Sequence, residues 1–106
     1  MNIIGREELK KKLDRGDDFK LVMTLSEWAF EAQHIPGSIN VTKPVDVSQY
    51  LDPNDEIVVY CSNEKCIASQ VAYKILDGRG YKNIRRYAGG LVDWEEAGYP
   101  LEGTGI

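Results

Sequence analysis

The chain is short of the residues that make cross-links and metal cages, with two cysteines and one histidine among 106 residues. Two thiols are too few for the disulfide framework of a small secreted domain. Cys61, Cys66 and His34 also supply too few ligands for a zinc site, so no metal is expected. No apolar run approaches the length of a membrane span. The opening MNIIGREELKKK places its basic residues after the only short apolar pair, the reverse of a secretory leader. These absences predict a cytoplasmic protein with reduced thiols and no membrane. Positive charge is in deficit too: thirteen Lys and Arg stand against seventeen Asp and Glu. Nucleic acid and anionic lipid favour a basic surface, so neither is an expected partner. No internal repeat, low-complexity tract or linker interrupts residues 1–106, a length that fits one domain.

What remains has the hydrophobic content of an ordinary folded domain, 42%, well above that of a disordered chain. Leu9 and Leu13, four apart in REELKKKLDRG, predict a short amphipathic helix stopped by Gly16. FKLVMTL (Phe19 to Leu25) suits a buried strand, and Ser26 is a good N-cap for a helix with Trp28 and Ala32 facing inward. HIPGSINV combines a Pro-Gly turn with a brief strand from Ile39 to Val41. DVSQYL predicts another short helix and DPNDE a polar turn. EIVVY (Glu56 to Tyr60) has the β-branched, apolar character of a strand covered on both faces. Ile67, Val71, Ile75 and Leu76 mark one face of a helix ending near Gly78 and Gly80. NIRRYAGG suggests a last strand and LVDWEEAG a last helix, with Trp28 and Trp94 as core aromatics. Strands alternating with helices make this an α/β domain with a largely parallel sheet covered on both faces.

The segment VVYCSNEKCIAS (Val58 to Ser69) holds both cysteines. Ligands of parallel α/β sheets bind beyond the carboxyl ends of the strands, and Cys61 follows EIVVY at such an end. Backbone N–H groups of the loop Ser62, Asn63, Glu64, Lys65, Cys66 and Ile67 would converge there on an anion, thiolate or bound oxyanion. A free cysteine titrates near about 8.5, and a helix terminus contributes only about 0.3–1 kcal/mol. Ionising Cys61 at neutral pH therefore needs several N–H···S contacts, or help from Lys65 that Glu64 weakens. Cys61 could instead be a small buried hydrophobe, and Cys66 an incidental loop thiol or a redox partner.

HIPGSINV (His34 to Val41), VVYC (Val58 to Cys61), GYKNIRRYAGGLVDW (Gly80 to Trp94) and AGYPLEG (Ala97 to Gly103), in this order and spacing, resemble a single-domain rhodanese-like sulfurtransferase. The resemblance implies a five-stranded parallel sheet flanked by helices, with Cys61 as the catalytic cysteine that opens the active-site loop. It implies that this thiolate takes the outer sulfur of a donor such as thiosulfate or a persulfide. The resulting persulfide passes its sulfur to cyanide or another thiol, including a protein thiol, with no cofactor. It also implies that the Gly89-Gly90 turn lies away from the catalytic sulfur, and His34 is read as structural beside its Pro-Gly turn.

Three departures qualify the likeness. The family commonly reads Asp-x-Arg where this chain has Met23 and Leu25, an apolar replacement that need not harm the fold. The loop is a little longer than the common form and has Ala68 where the family has an arginine before the serine matched by Ser69, which predicts weak binding of the thiosulfate dianion. Cys66 lies inside that loop, where it could resolve a Cys61 persulfide into a Cys61–Cys66 disulfide if the Cα atoms come within about 7 Å. The alternatives are a thiol redox or sulfur-delivery module working on a protein partner and, last, phosphatase or arsenate reductase chemistry. The last wants a loop arginine that Ile67 and Ala68 do not supply. Regulatory, non-catalytic domains of this kind usually lack the cysteine, which this chain keeps.

Overall fold

In the computed structural model of the chain, which describes residues 1–43 and 49–105, helices alternate with short parallel strands. Helix α1 (Arg6–Arg15) buries Leu9 completely, and Gly16 stops it in the left-handed region at φ 71°, as its lack of a Cβ allows. Strand β1 (Lys20–Met23) leads to α2 (Glu27–Ala32), whose N-cap Ser26 accepts the Ala29 N–H at 3.2 Å. Strands β2 (Ile39–Asn40) and β3 (Ile57–Tyr60) follow, then α3 (Ala68–Gly78), β4 (Ile84–Tyr87) and α4 (Gly90–Glu96).

The strands pair in parallel in the order β2-β1-β3-β4, with Val22 opposite Val59 and Tyr60 opposite both Met23 and Tyr87. Alternation along the strands divides the core into two layers. Leu21, Met23, Val58, Tyr60 and Tyr87 pack with Leu9, Leu91 and Trp94. Val22, Ile57, Val59 and Ile84 pack with Ala72 and Leu76 of α3.

Three expectations need correction. Among the described residues the sheet has four strands rather than five. The fifth shrinks to one parallel bridge, Ile3 with Arg86, because Gly5 already caps α1 and cuts the extended segment short. Trp28 is not a core aromatic: it is 78% exposed, and its neighbours Ala29 and Phe30 pack inward in its place. The buried face of α3 is Ser69, Ala72 and Leu76, while Ile67 and Val71 are exposed. A residue that must look at the strand end, Ser69, sets this rotation, and apolar spacing alone could not fix it. Of the helix expected over 46–51, residues 46–48 lie outside the described residues.

Candidate functional site

The site begins where β3 ends. Tyr60 is fully buried, and its hydroxyl binds the Ile35 N–H at 3.0 Å and Ser38 Oγ at 2.8 Å. Its carbonyl accepts both the N–H and the hydroxyl of Thr24, at 3.1 and 3.2 Å. With Tyr60 fixed, Cys61 is aimed at α3, as strand alternation requires after Ile57 and Val59. The start of α4 holds the next two carbonyls: Leu91 N–H donates to Cys61 O at 3.0 Å and Val92 N–H to Ser62 O at 2.9 Å. Gly90 sits between them at φ 64°, and a Cβ there would overlap Cys61 O and come within 2.8 Å of the Ser62 carbonyl carbon. The turn therefore buttresses the cysteine backbone at its carbonyl, while the sulfur faces Ser69 of α3. Gly89 has φ −61°, so only the second glycine needs the left-handed region.

The loop amides do not all converge on Cys61. Asn63 takes two of them, Lys65 N–H on its Oδ1 at 2.9 Å and Cys66 N–H on its carbonyl at 3.1 Å. Further N–H groups act on one or the other of two sulfurs. The N–H and hydroxyl of Ser69 address Cys61, whereas the N–H groups of Ala68 and Ser62 and the Ser62 hydroxyl address Cys66. Cys61 Sγ lies 3.3 Å from Ser69 Oγ and 3.7 Å from Cys66 O. Both cysteines are free.

Exposure and acidity separate the pair. Cys61 is 1% exposed and Cys66 is half-buried. Burial pushes the Cys61 thiol up, the neighbouring Cys66 thiol pushes the same way, and the Ser69 hydroxyl and N–H oppose them without prevailing. Burial also pushes Cys66 up, but the Cys61 thiol and the N–H groups of Ala68 and Ser62 overcome it, and its pKa falls. Cys66 is thus the more acidic and more accessible thiol, and Cys61 the better shielded one.

Arg86 was not singled out in the sequence. It is 6% exposed and reaches under the loop from β4: Nε donates to Ser69 Oγ at 2.9 Å, and Nη2 donates to the carbonyls of Glu64 at 3.0 Å and Cys66 at 3.4 Å. The signal was present in NIRRY. Alternation turns Arg85 to the α1 side, where it meets Glu8, and turns Arg86 with Ile84 to the α3 side. A cation at a core position of a strand demands a reason.

Asn63, Glu64, Lys65 and Ile67 are exposed. Glu64 shares an open cleft of about 290 Å³ with Asn63, Gly89, Val92, Asp93 and Glu96. Its three carboxylates repel a dianion. His34 stacks on Phe30 at 4.0 Å, donates from Nδ1 to the Phe30 carbonyl at 2.6 Å and bonds through its backbone to Glu102, contacts that tie it to its own turn. Met23 is fully buried and Leu25 packs against the same core, so an apolar pair fills the place of the family's charged one.

The profile of the Rhodanese-like domain matches residues 5–97. The HTH-type transcriptional regulator Rv0324 of Mycobacterium tuberculosis is 30% identical over 101 residues, covering 93% of this chain and 44% of that protein. Adenylyltransferase and sulfurtransferase UBA4 of Candida albicans is 38% identical over 79 residues, covering 63% of this chain and 17% of that protein. The chain thus spans less than half the length of either relative. The BH2092 protein of Bacillus halodurans superposes with a TM-score of 0.89 over 98% of this chain and 78% of its own at 20% identity, which shows the shared fold. The chain belongs to the Rhodanese-like domain family.

Proposed function

We propose that this chain transfers sulfane sulfur, with Cys61 as the sulfur carrier and Cys66 as the thiol that exchanges with it. The observation that carries this reading is a buried strand-end thiol, Cys61, whose Sγ lies 3.7 Å from the carbonyl of Cys66, a second and more exposed thiol of the same loop. UBA4, which resembles most of this chain, is named a sulfurtransferase, in keeping with that chemistry.

In the forward step the Cys61 thiolate attacks the outer sulfur of a donor. With thiosulfate the S–S bond breaks, sulfite leaves with the electron pair, and Cys61 becomes a persulfide. An acceptor thiolate or cyanide then takes the outer sulfur and the Cys61 thiolate is restored. Alternatively, Cys66 attacks the inner sulfur, hydrosulfide leaves, and a Cys61–Cys66 disulfide remains for an external thiol to reduce. The 1% exposure of Cys61 means that a donor reaches it only when the 62–67 loop shifts. The carboxylates beside the loop disfavour thiosulfate and favour a persulfide donor, small or protein-borne.

The half-buried Cys66 with exposed Ile67 beside it favours a second reading, delivery to a protein thiol. Mass spectrometry separates the readings. In a Cys66→Ser background, which cannot resolve the persulfide into a disulfide, exposure to thiosulfate and, separately, to a persulfide donor should add one sulfur to Cys61, and nothing once Cys61→Ser is added. No sulfur gained by Cys61 in that background from either donor would refute sulfur transfer.

A further inference from the structure

Arginines of this chain commonly meet a carboxylate: Arg6 pairs with Asp93, Arg15 with Asp17 and Arg85 with Glu8. No carboxylate among the described residues lies within ion-pair distance of Arg86, although Arg86 is the buried one. A buried cation without a counter-ion is costly unless hydrogen bonds or a nearby anion offset its desolvation. Its backbone is held by the N-terminal segment, with Arg86 N–H on Asn2 O at 2.8 Å and Ile4 N–H on Arg86 O at 3.0 Å. Among the described residues its side chain bonds to Ser69 and to two loop carbonyls.

The Ser69 hydroxyl has a single proton. Because its oxygen already accepts from Arg86 Nε at 2.9 Å, that proton is left to turn toward Cys61 Sγ, 3.3 Å away on the other side. We propose that Arg86 is a positioning residue for the reacting sulfur: it holds the Ser69 hydroxyl so that the hydroxyl donates to Cys61 Sγ whenever that sulfur is an anion, thiolate or persulfide. The cation arrives from a neighbouring strand and not from the loop, which has Ala68 where the family has an arginine. It stands behind the sulfur rather than in front of it, so it stabilises the anion without binding the donor.

This rests on Cys61 being the reacting sulfur, but its test needs no sulfur donor and therefore fails or succeeds independently of sulfur transfer. The ionisable or charged groups facing Cys61 are the Cys66 thiol on the loop and, through Ser69 of α3, Arg86 of β4. A Cys66→Ser background removes the first. In it, the Cys61 titration is followed by ultraviolet thiolate absorbance and by the pH dependence of alkylation. Arg86→Gln should lower the thiolate fraction at a given pH about tenfold, one pKa unit. Arg86→Lys, which keeps the charge but not the planar fork, should recover part of it. Ser69→Ala should shift the titration in the same direction, and Arg86→Gln added to Ser69→Ala should do little more, because the two act through one hydrogen bond. An unchanged Cys61 titration in Arg86→Gln, or shifts that simply add, would overturn the assignment. Should Arg86→Gln fail to fold, Ser69→Ala alone decides, since an unmoved titration there removes the relay.

Discussion

Replacing Gly90 by alanine tests whether the α4 turn is a mechanical support of the cysteine. Two costs combine at that position. The left-handed backbone, φ 64°, strains an L-residue by about 1–3 kcal/mol. The new methyl would also press on Cys61 O and on the Ser62 carbonyl, 2.8 Å from its carbon and 2.9 Å from its oxygen. Those are backbone atoms that cannot swing aside, and overpacking of this kind costs about 1–3 kcal/mol more. Gly98 supplies the control: its φ is 76° and a Cβ there meets nothing within 4 Å, so Gly98→Ala carries only the backbone strain. Urea unfolding at constant slope should therefore place Gly90→Ala below Gly98→Ala by about 1–3 kcal/mol, a large share of the roughly 5–15 kcal/mol of a typical domain. Equal losses in the two variants would refute the claim that the turn bears on the cysteine backbone. A larger loss at Gly90 should also reduce persulfide formation, since relief of the contact displaces the carbonyls bonded by Leu91 and Val92.

Limited iodoacetamide at neutral pH should alkylate Cys66 well before Cys61, because Cys66 is the more exposed thiol with the lowered pKa; peptide mapping that finds Cys61 modified first would contradict this. Burial raises the Tyr60 pKa from 10.0 to about 12, so folding favours the neutral phenol. That contribution is whole below pH 10 and is lost as the pH climbs through 12, on the order of 3 kcal/mol in all. Tyr60→Phe should be less stable at neutral pH by about 1–3 kcal/mol, for leaving the Ile35 N–H unpaired, yet decline less between pH 10 and 12 in alkaline unfolding curves. Trp28→Ala should change stability by no more than about 0.5 kcal/mol, whereas Trp94→Ala should cost about 3–5 kcal/mol, read from denaturation midpoints.

The order of elements was legible because each carries a local mark: the β-branched run at 57–60, Gly16 after Leu13, Ser26 before α2. The strand-end position of Cys61 followed from the same marks. What escaped depended on rotation and on distant partners. Trp28 and Ala29 are equally apolar neighbours, and only the tertiary packing decides which faces the core. The rotation of α3 answers to Ser69, a polar residue that counting apolar positions ignores. Asn63 draws two loop amides onto itself, which no spacing rule reveals. Arg86 lies on another strand from the thiols, so its bond to Ser69 exists only once β3 and β4 are paired.

Ser69 and the side chains at positions 57, 59, 61, 84 and 86 all look toward the same flank of the sheet. Parity, more than sequence distance, is what holds the chemistry together. Deleting or adding a single residue inside β3 would invert that parity and present the thiol to the α1 and α4 flank, away from Ser69 and Arg86. Two such changes would cancel and return the sulfur to its own side, one step out of line with Ser69.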